Sequence, residues 1–281
     1  IAGELVDRAI ACGEVEFMAD VALRFAVRVQ CAFLGWPSEL QEPLIRWVRK
    51  NHEATLTRNR EAMSAIAREF EEIIDDLLDS RRRSGAGPET DLTASLMHEP
   101  VRGRTLNNEE VTSILRNWTV GEIGTLSAAV GILAHYLAAH GGLQKELRAK
   151  PDRLPAAVEE ILRIHGPLVA NRRVTTRPVE IGGRKIGAGE RISINWISAN
   201  RDESVFGDPD SFQPDRDQSQ NLLWGAGIHV CPGRPLAQLE MRVFLEELLS
   251  RAGEITLVPE QPATLAVYPG AGYSTLPLRV R

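Results

Sequence analysis

The most informative part of this chain reads Trp224-Gly225-Ala226-Gly227-Ile228-His229-Val230-Cys231-Pro232-Gly233. It surrounds a single cysteine with glycines and contains no second thiol. We expect Gly225, Gly227 and Gly233 to adopt backbone conformations that a Cβ would forbid. They would also let a flat group approach the loop closely. The run therefore predicts a binding loop built around one sulfur atom.

A helix is predicted directly after this loop. Between Pro235 and Leu249, apolar side chains recur at helical spacing, with Leu236, Leu239 and Val243 on one face. Cys231 then lies just before a helix N-terminus, where free N–H groups and the helix dipole favour an anion. The loop is thus a suitable place for a thiolate.

The loop resembles the haem-binding loop of the cytochrome P-450 superfamily, whose pattern is aromatic-Gly-x-Gly-x-His-x-Cys-x-Gly. Trp224 stands where phenylalanine is usual, and every other fixed position matches. The resemblance, to the soluble bacterial type, implies that Cys231 is the axial ligand of the iron of haem b, iron-protoporphyrin IX. Trp224, His229 and the three glycines would line the cofactor, with His229 beside a propionate. The competing interpretation is a buried structural cysteine before a helix.

The resemblance also implies roles for residues upstream of the loop. In the family, an arginine that opens a short strand pairs with a haem propionate, and here that residue is Arg173, with Arg172 as a competing candidate. The segment just before it lines the substrate pocket in the family, which implies pocket roles for Leu168, Val169 and Ala170.

A long buried helix is predicted from about Asn107 to Ala139, and it carries the family's second motif in altered form. Gly121-Glu122-Ile123-Gly124-Thr125 has the expected threonine at Thr125, but Gly124 stands where the family has its catalytic acid. Residues three apart share a helix face, so Glu122 and Thr125 can point into one pocket. Our hypothesis is that Glu122 is a displaced proton donor whose pKa is raised by burial. Alternatively, Glu122 turns aside into a salt bridge or toward solvent.

A Glu-x-x-Arg spacing occurs at Glu160 and Arg163, and Arg216 follows a Phe-x-Pro turn. Glu and Arg three apart can pair on one helix face. The spacing alone is weak, but the resemblance places these three residues in a charge network below the cysteine loop. We interpret them as structural and not catalytic.

Composition and charge limit the class of protein. The 281 residues are 43% hydrophobic and 25% charged, with a formal net charge of -5, which argues against nucleic-acid or anionic-membrane partners. Three cysteines, including Cys12 and Cys31, do not make a disulfide framework. The longest apolar run, 128–134, is too short to span a bilayer, and the first residues carry no signal-peptide pattern. We expect a cytoplasmic protein without a membrane partner.

The predicted fold is mainly α with a minor β-sheet, a cytochrome P-450 fold that is incomplete at the N-terminus. We expect residues 1–281 to form a single domain that lacks the family's N-terminal block and holds haem between the 107–139 helix and the cysteine loop. Residues 1–84 are expected to be wholly helical, with residues 81–83 as a solvated helix end. Short strands are predicted near 173–175, 179–181, 191–196, 255–258 and 276–280.

The resemblance implies monooxygenation of a small organic substrate. Electrons would come from a redox partner, a ferredoxin or a reductase domain, since the chain shows no flavin or iron–sulfur motif. Two alternatives stay open. The missing acid beside Thr125 favours a haem-thiolate enzyme that uses peroxide directly, and the missing N-terminal block favours an inactive haem-binding fragment.

Overall fold

The computed structural model describes residues 1–85, 87–89, 91–268 and 270–281. These residues pack as two compact units. The first unit consists of Ile1 with Ala19–Ser127, and the second of Ala2–Met18 with Ala128–Arg281. The single-domain assignment stays a prediction.

Helices make up most of the described chain, and short strands make up most of the remaining regular structure. The helices are α1 (Ala2–Cys12), α2 (Leu23–Leu34), α3 (Gln41–Thr57), α4 (Arg60–Ser84), α5 (Leu92–His98), α6 (Asn108–Ala139), α7 (Gly141–Ala149), α8 (Leu154–His165), α9 (Trp196–Ala199), α10 (Glu203–Phe206) and α11 (Arg234–Arg251). The strands are β1 (Glu14–Glu16), β2 (Pro100–Val101), β3 (Arg104–Thr105), β4 (Ala170–Val174), β5 (Val179–Ile181), β6 (Arg184–Ile186), β7 (Arg191–Asn195), β8 (Ile255–Leu257), β9 (Thr264–Leu265), β10 (Tyr273–Thr275) and β11 (Pro277–Val280). The predicted fold class, mainly α with minor sheet, is confirmed.

The largest sheet in the described ranges has three antiparallel strands in the order β1-β11-β8. Its register pairs Val15 with Leu278 and Val280 with Ile255. The prediction that residues 1–84 are wholly helical was therefore wrong at Glu14–Glu16. The partner strand lies at the other end of the chain, so local helical spacing could not reveal the pairing.

The remaining pairs are short antiparallel hairpins or ribbons: β2-β3, β4-β7, β5-β6 and β9-β10. The Gly182-Gly183 pair between β5 and β6 is typical of a tight hairpin turn, and both glycines have positive φ, 56° and 77°. Two adjacent positive-φ residues are the requirement of a type I′ turn. The pairing of β4 with β7 sets the position of Arg173 opposite Ile192.

An aromatic cluster forms the core of the first unit. The Trp47 ring lies 4.8 Å from the Phe70 ring, and Trp36 lies 6.5 Å from Phe70, centroid to centroid. Both indole N–H groups are satisfied: Trp47 donates to the Ile66 carbonyl at 2.9 Å and Trp36 to the Thr93 hydroxyl at 2.9 Å. Buried indoles need such partners, and α2 to α5 are thereby held together.

The basic run at the end of α4 differs from its prediction. Arg81 is buried and not solvated, because its guanidinium pairs with Asp91 at 2.9 Å and donates to the carbonyl of Gly35 at 2.6 Å. Arg82 and Arg83 are exposed, as predicted. Asp91 also caps α5 by accepting from the Ala94 N–H, so one carboxylate serves both helices.

The start of α6 is a reciprocal capping box, as the Asn107-x-x-Glu110 spacing indicates. The Asn107 side chain accepts from the Glu110 N–H at 2.9 Å, and the Glu110 carboxylate accepts from the Asn107 N–H at 3.0 Å. The Arg104 guanidinium and this backbone bond lower the pKa of Glu110 to about 2. The box therefore fixes where α6 begins.

We expect Asn107→Ala to lower the free energy of unfolding by about 1 kcal/mol, because it removes the cap of α6. Asn117→Ala is the matched control, since Asn117 is exposed in the middle of the same helix. There the exchange should stabilise by a few tenths of a kcal/mol through helix propensity. Denaturant unfolding of both variants checks this, and equal effects would show that Asn107 does not cap the helix.

The α6 helix is long and apolar enough to cross a bilayer by length and composition. Within its most apolar window, 56% of the residues are buried inside the protein. Such burial is typical of the central helix of a soluble fold, so the length of α6 is only weak evidence for a membrane span.

The second unit packs α1 and α8 against α11. Phe17 meets Phe244 edge to face at 6.2 Å, and Leu248 is fully buried in the same core. The apolar face predicted for α11 was wrong for Leu239 and Val243, which are 47% and 37% exposed, whereas Phe244 and Leu248, which also lie at helical spacing, are fully buried. The α11 residues that are buried are Glu240, Met241, Phe244, Leu245, Leu248 and Leu249.

Candidate functional site

The cysteine loop is closed by backbone hydrogen bonds. The Cys231 N–H donates to the Trp224 carbonyl at 2.8 Å, and the Val230 N–H donates to the Gly227 carbonyl at 3.2 Å. Residues Gly227–His229 form a single 3₁₀ turn between these bonds. Cys231 is half-buried and free of any disulfide, so its sulfur is available as a ligand.

Two of the three loop glycines have the special conformation that was predicted. Gly225 has φ +74° and Gly227 φ +65°. A Cβ on Gly225 would lie 3.2 Å from the His229 carbonyl oxygen, whereas one on Gly227 would project into open space beside the loop. The prediction was wrong for Gly233, whose φ of -80° suits any residue.

The helix predicted after the loop is α11, which begins at Arg234. Gly233 takes its N-cap position without a side-chain cap, and a proline follows within the first turn. Cys231 is thus three residues before the first helical residue, near the positive end of the helix dipole. The predicted placement of the thiol before a helix N-terminus is confirmed.

The residues around the loop fit a haem. His229 is exposed and Arg173 is half-exposed. In the described ranges no carboxylate lies within ion-pair distance of Arg173, whose guanidinium donates only to the Arg172 carbonyl at 2.9 Å. The Arg173 guanidinium and the exposed His229 ring can donate to propionates, the open side of Gly227 suits a flat ring, and the exposed Ile228, at 95%, offers apolar surface. Arg172, on the other face of β4, is exposed and remains the competing candidate.

The predicted charge network exists and is buried. Arg163 donates to both carboxyl oxygens of Glu160, at 2.8 and 2.9 Å, and both side chains are 0% exposed. Arg216 joins them with a 3.2 Å bond from Nε to Glu160. The structure therefore brings together the three residues that the sequence singled out.

The arginines of this network also hold the backbone upstream of the cysteine loop. Arg163 donates to the carbonyls of Asn200 at 2.6 Å and Pro209 at 2.8 Å. Arg216 donates to the carbonyls of Phe206 and Asp208. The chain between 200 and 216, which is irregular apart from the short helix α10, is thus held by the guanidinium groups of Arg163 and Arg216. This agrees with the structural role proposed from the sequence.

Burial alone would raise the pKa of Glu160, but hydrogen bonds from Arg163, Gln218 and the Gln213 N–H outweigh it. The net pKa lies below the usual value. Glu160 is therefore an anion at neutral pH with every oxygen satisfied.

Sequence reasoning missed two residues of the site, Glu159 and Gln238. The Trp224 indole N–H donates to both oxygens of Glu159, at 2.9 and 3.0 Å, and the Gln238 amide donates to Glu159 at 2.6 Å. Glu159 directly precedes the Glu-x-x-Arg pair, and nothing in the sequence connects it to a residue 65 positions away. The sequence did indicate that Trp224 would need some hydrogen-bond acceptor, because the N–H group of a half-buried Trp usually has one.

The predicted substrate-pocket segment leads into β4. Leu168 forms an isolated bridge with Gly270, the Val169 carbonyl accepts from the Trp196 N–H at 2.9 Å, and Ala170 is buried. Leu168 and Val169 are half-buried. The segment is therefore ordered by backbone contacts, and its pocket role stays a prediction.

The first unit places Glu122 beside α2. Both carboxyl oxygens of Glu122 and the indole Nε1 of Trp118 are buried without hydrogen-bond partners of normal geometry. Burial raises the pKa of Glu122 to about 7, and the nearby Trp118 only partly opposes this. Burial, and then the Glu122 charge, raise the pKa of the Cys31 thiol to about 11. The alternative of a salt bridge for Glu122 is wrong in this structure.

Thr125 lies one turn along α6 and is half-buried. Its hydroxyl donates back to the Gly121 carbonyl and, more weakly, to the Glu122 carbonyl at 3.3 Å. It does not bond the Glu122 carboxylate, whose oxygens have no partner. Thr125 and Glu122 belong to the first unit, whereas the cysteine loop, Arg173 and the Glu160 network belong to the second.

Comparison with known proteins finds similarity along most of the chain. A family model described as Cytochrome P450 matches residues 35–252. The chain is 33% identical over 263 residues to the cyclomarin C epoxidase of Salinispora arenicola, covering 92% of this chain and 67% of that one. It is 32% identical over 264 residues to the mycinamicin IV hydroxylase/epoxidase of Micromonospora griseorubida, covering 92% and 66%. The chain thus spans about two thirds of the length of these relatives.

A solved structure agrees with these matches. The cytochrome P450 structure from Chondromyces apiculatus superposes with a TM-score of 0.88 at 32% identity, over 99% of this chain and 69% of that one. The likeness extends from α1 to β11 and includes the regions outside the matched family model. Since the family model covers well over half of the chain and sequence and structure agree along nearly all of it, this chain belongs to the cytochrome P450 family.

Proposed function

We propose that this chain is the haem-thiolate part of a monooxygenase that inserts one oxygen atom of dioxygen into a small organic substrate. Members of the family bind haem b. The observation that carries the proposal is the cysteine loop: a free, half-buried Cys231 before α11, on a backbone turned by two positive-φ glycines.

In this proposal Cys231 holds the iron as its thiolate, and Arg173 and His229 bind the propionates. When bound, the haem supplies activation of dioxygen, with the thiolate donating electron density to the iron. Glu160, Arg163 and Arg216 keep the chain between 200 and 216 in place so that the loop stays ordered. Leu168, Val169 and Ala170 contact the substrate.

The names of two relatives support a proposal for the substrate class of this chain, and the electron source is proposed from the resemblance to the family. Two of them are named as an epoxidase of cyclomarin C and a hydroxylase/epoxidase of mycinamicin IV. We infer an apolar organic substrate for this chain and electrons from a separate ferredoxin or reductase domain. The matching relatives are bacterial, and we expect a cytoplasmic protein.

Proton delivery is assigned to Glu122 and Thr125. Gly124, at the acid position, has no side chain to carry a proton, whereas Glu122 titrates near neutral pH and its oxygens have no fixed partner. A group with a pKa near the working pH is an efficient proton donor. The Thr125 hydroxyl donates to the Gly121 and Glu122 carbonyls of its own helix, and we propose that it takes part in proton delivery from there.

Cys231→Ala should abolish the red-shifted Soret band of the reduced, carbon monoxide-bound protein, because that band reports thiolate ligation. Haem content per chain, measured as the pyridine haemochrome, should also fall. Cys12→Ala is the matched control: this thiol is exposed and lies in α1, and its removal should change neither measurement. An unchanged Soret band in Cys231→Ala would overturn the proposed function.

A second candidate function, direct use of peroxide, is favoured by the absence of an acid at Gly124. Parallel assays with hydrogen peroxide and with a ferredoxin–reductase system distinguish the two. Turnover with peroxide alone would support the second candidate, and turnover only with reductase and dioxygen would support the monooxygenase. A chain that binds haem but turns over in neither assay would point to the inactive fragment.

A further inference from the structure

Trp224 makes two different anchoring contacts. Its indole N–H donates to both carboxyl oxygens of Glu159, at 2.9 and 3.0 Å. Its backbone carbonyl accepts the Cys231 N–H at 2.8 Å. One residue therefore connects the carboxylate of α8 to the backbone that carries the sulfur.

Glu159 connects three parts of the second unit. It lies on α8, it receives the Trp224 indole from the loop, and it receives the Gln238 amide of α11 at 2.6 Å. Among the described residues no cationic side chain forms an ion pair with Glu159, and the Trp224 indole and the Gln238 amide are both neutral donors. Hydrogen bonds to a charged acceptor are stronger than those between neutral groups.

This arrangement depends on the indole. Phenylalanine, which is usual at this position of the loop, has no donor and could not use Glu159. The guanidinium of Arg234, the first residue of α11, lies over the Trp224 ring, 5.9 Å from the ring centroid. A cation over an indole face adds a further attraction that restricts the ring. The ring is thus held at its edge by Glu159 and over its face by Arg234.

We propose that Glu159 is a positioning residue for the cysteine loop: its bond to the Trp224 indole fixes the loop backbone and thereby orients the Cys231 sulfur toward haem. The inference rests on the proposed function of Cys231. Contacts that orient a metal ligand typically change affinity 10- to 100-fold when removed. We therefore expect haem loss from Glu159→Ala to be about tenfold faster than from the wild type.

The test compares haem loss from the holoprotein to apomyoglobin, a haem scavenger, in four proteins. They are the wild type, Glu159→Ala, Trp224→Phe and the double variant. If Glu159 acts through the indole, Glu159→Ala accelerates haem loss in the wild type but adds nothing in the Trp224→Phe background. Equal acceleration in both backgrounds would overturn the proposal, because Glu159 would then merely stabilise the fold. Unchanged haem loss in Glu159→Ala would overturn it as well.

Two further variants keep the test decisive if Glu159→Ala folds poorly. Glu159→Gln retains an acceptor oxygen and should recover most of the wild-type haem retention. Gln238→Ala removes the other donor to Glu159 but leaves the indole bond, so its haem loss should stay close to the wild type. If Gln238→Ala instead lost haem much faster than Glu159→Gln, the effect would belong to the contact between α8 and α11, and the role of the indole would be refuted.

Hydrogen exchange of the Cys231 amide gives a second readout that does not require haem. In the chain as purified, Glu159→Ala should raise the exchange rate of this amide about tenfold, since loosening Trp224 weakens its bond to Cys231. If the wild type bound no haem, the proposed function would fail, and this rate alone would decide whether Glu159 fixes the loop. An unchanged rate would refute the anchoring.

Discussion

Replacing Arg163 with methionine should lower the free energy of unfolding by about 3–5 kcal/mol, the largest effect we expect from a single exchange outside the cysteine loop. Arg163 and Glu160 are both 0% exposed, so the exchange leaves a buried carboxylate with fewer donors. It also frees the carbonyls of Asn200 and Pro209 and removes the guanidinium that lies 4.8 Å from the Phe206 ring centroid. Since native proteins are stable by only about 5–15 kcal/mol, such a loss should reduce the soluble yield.

Guanidinium chloride unfolding followed by circular dichroism measures this loss. Arg242→Met is the matched control, because Arg242 pairs with Glu246 at the surface, with side chains 42% and 39% exposed. It should cost at most about 1 kcal/mol. Arg163→Lys keeps the charge without the fork and should fall between the two. A loss in Arg163→Met no larger than the control would contradict the structural role of the network.

Glu122→Gln should make the chain more stable at pH 8 by about 3 kcal/mol and should leave it unchanged near pH 4. Burial raises the pKa of Glu122 from its ordinary value of 4.5 to about 7. Below pH 4 the carboxyl is largely neutral in both the folded and the unfolded state, so its ionisation does not affect stability. As the pH rises toward 7 and beyond, only the unfolded chain ionises freely, so wild-type stability is lost by about 1.4 kcal/mol per unit of pKa difference.

Denaturant unfolding between pH 4 and pH 8 tests this expectation. Glu71→Gln, an exchange on the exposed surface of α4, shows how much the loss of any carboxylate changes stability over the same range. A wild-type-minus-variant difference that does not change with pH would show that Glu122 is not held protonated. In that case its oxygens must find partners or water in solution.

The same variant tests the proton-delivery role. If Glu122 supplies protons, Glu122→Gln should lower product formation and raise the fraction of electrons lost as peroxide. Unchanged coupling would reject that role without affecting the stability result, because the two readouts depend on different properties of the carboxyl group.

Several features were predictable because they depend on short-range rules. The Asn107–Glu110 capping box, the Gly182-Gly183 turn and the pairing of Glu160 with Arg163 each involve residues at most three positions apart. Such spacings determine which side chains and backbone groups can meet. The cysteine loop belongs to the same class, since its ten residues carry both the ligand and the glycines that turn the backbone.

Other features depended on partners distant in the chain. The strand at Glu14–Glu16 exists because β11 pairs with it, and Arg81 is buried because Asp91 and the Gly35 carbonyl accept its bonds. The exposed Leu239 and Val243 show the same limit: periodicity identified an apolar face, but the packing of α1 and α8 determined which side of α11 is covered.

By itself, the sequence determined the family, the candidate haem ligand and the members of the Glu160 network. Each of these depends on motifs of residues a few positions apart, whose local geometry the spacing constrains. Only the tertiary structure decided the environment of Glu122 and the partner of Trp224. A pKa near 7 results from how much water surrounding helices exclude, and the Glu159 bond joins residues 65 positions apart. Both depend on contacts between elements, which no pattern within one element can specify.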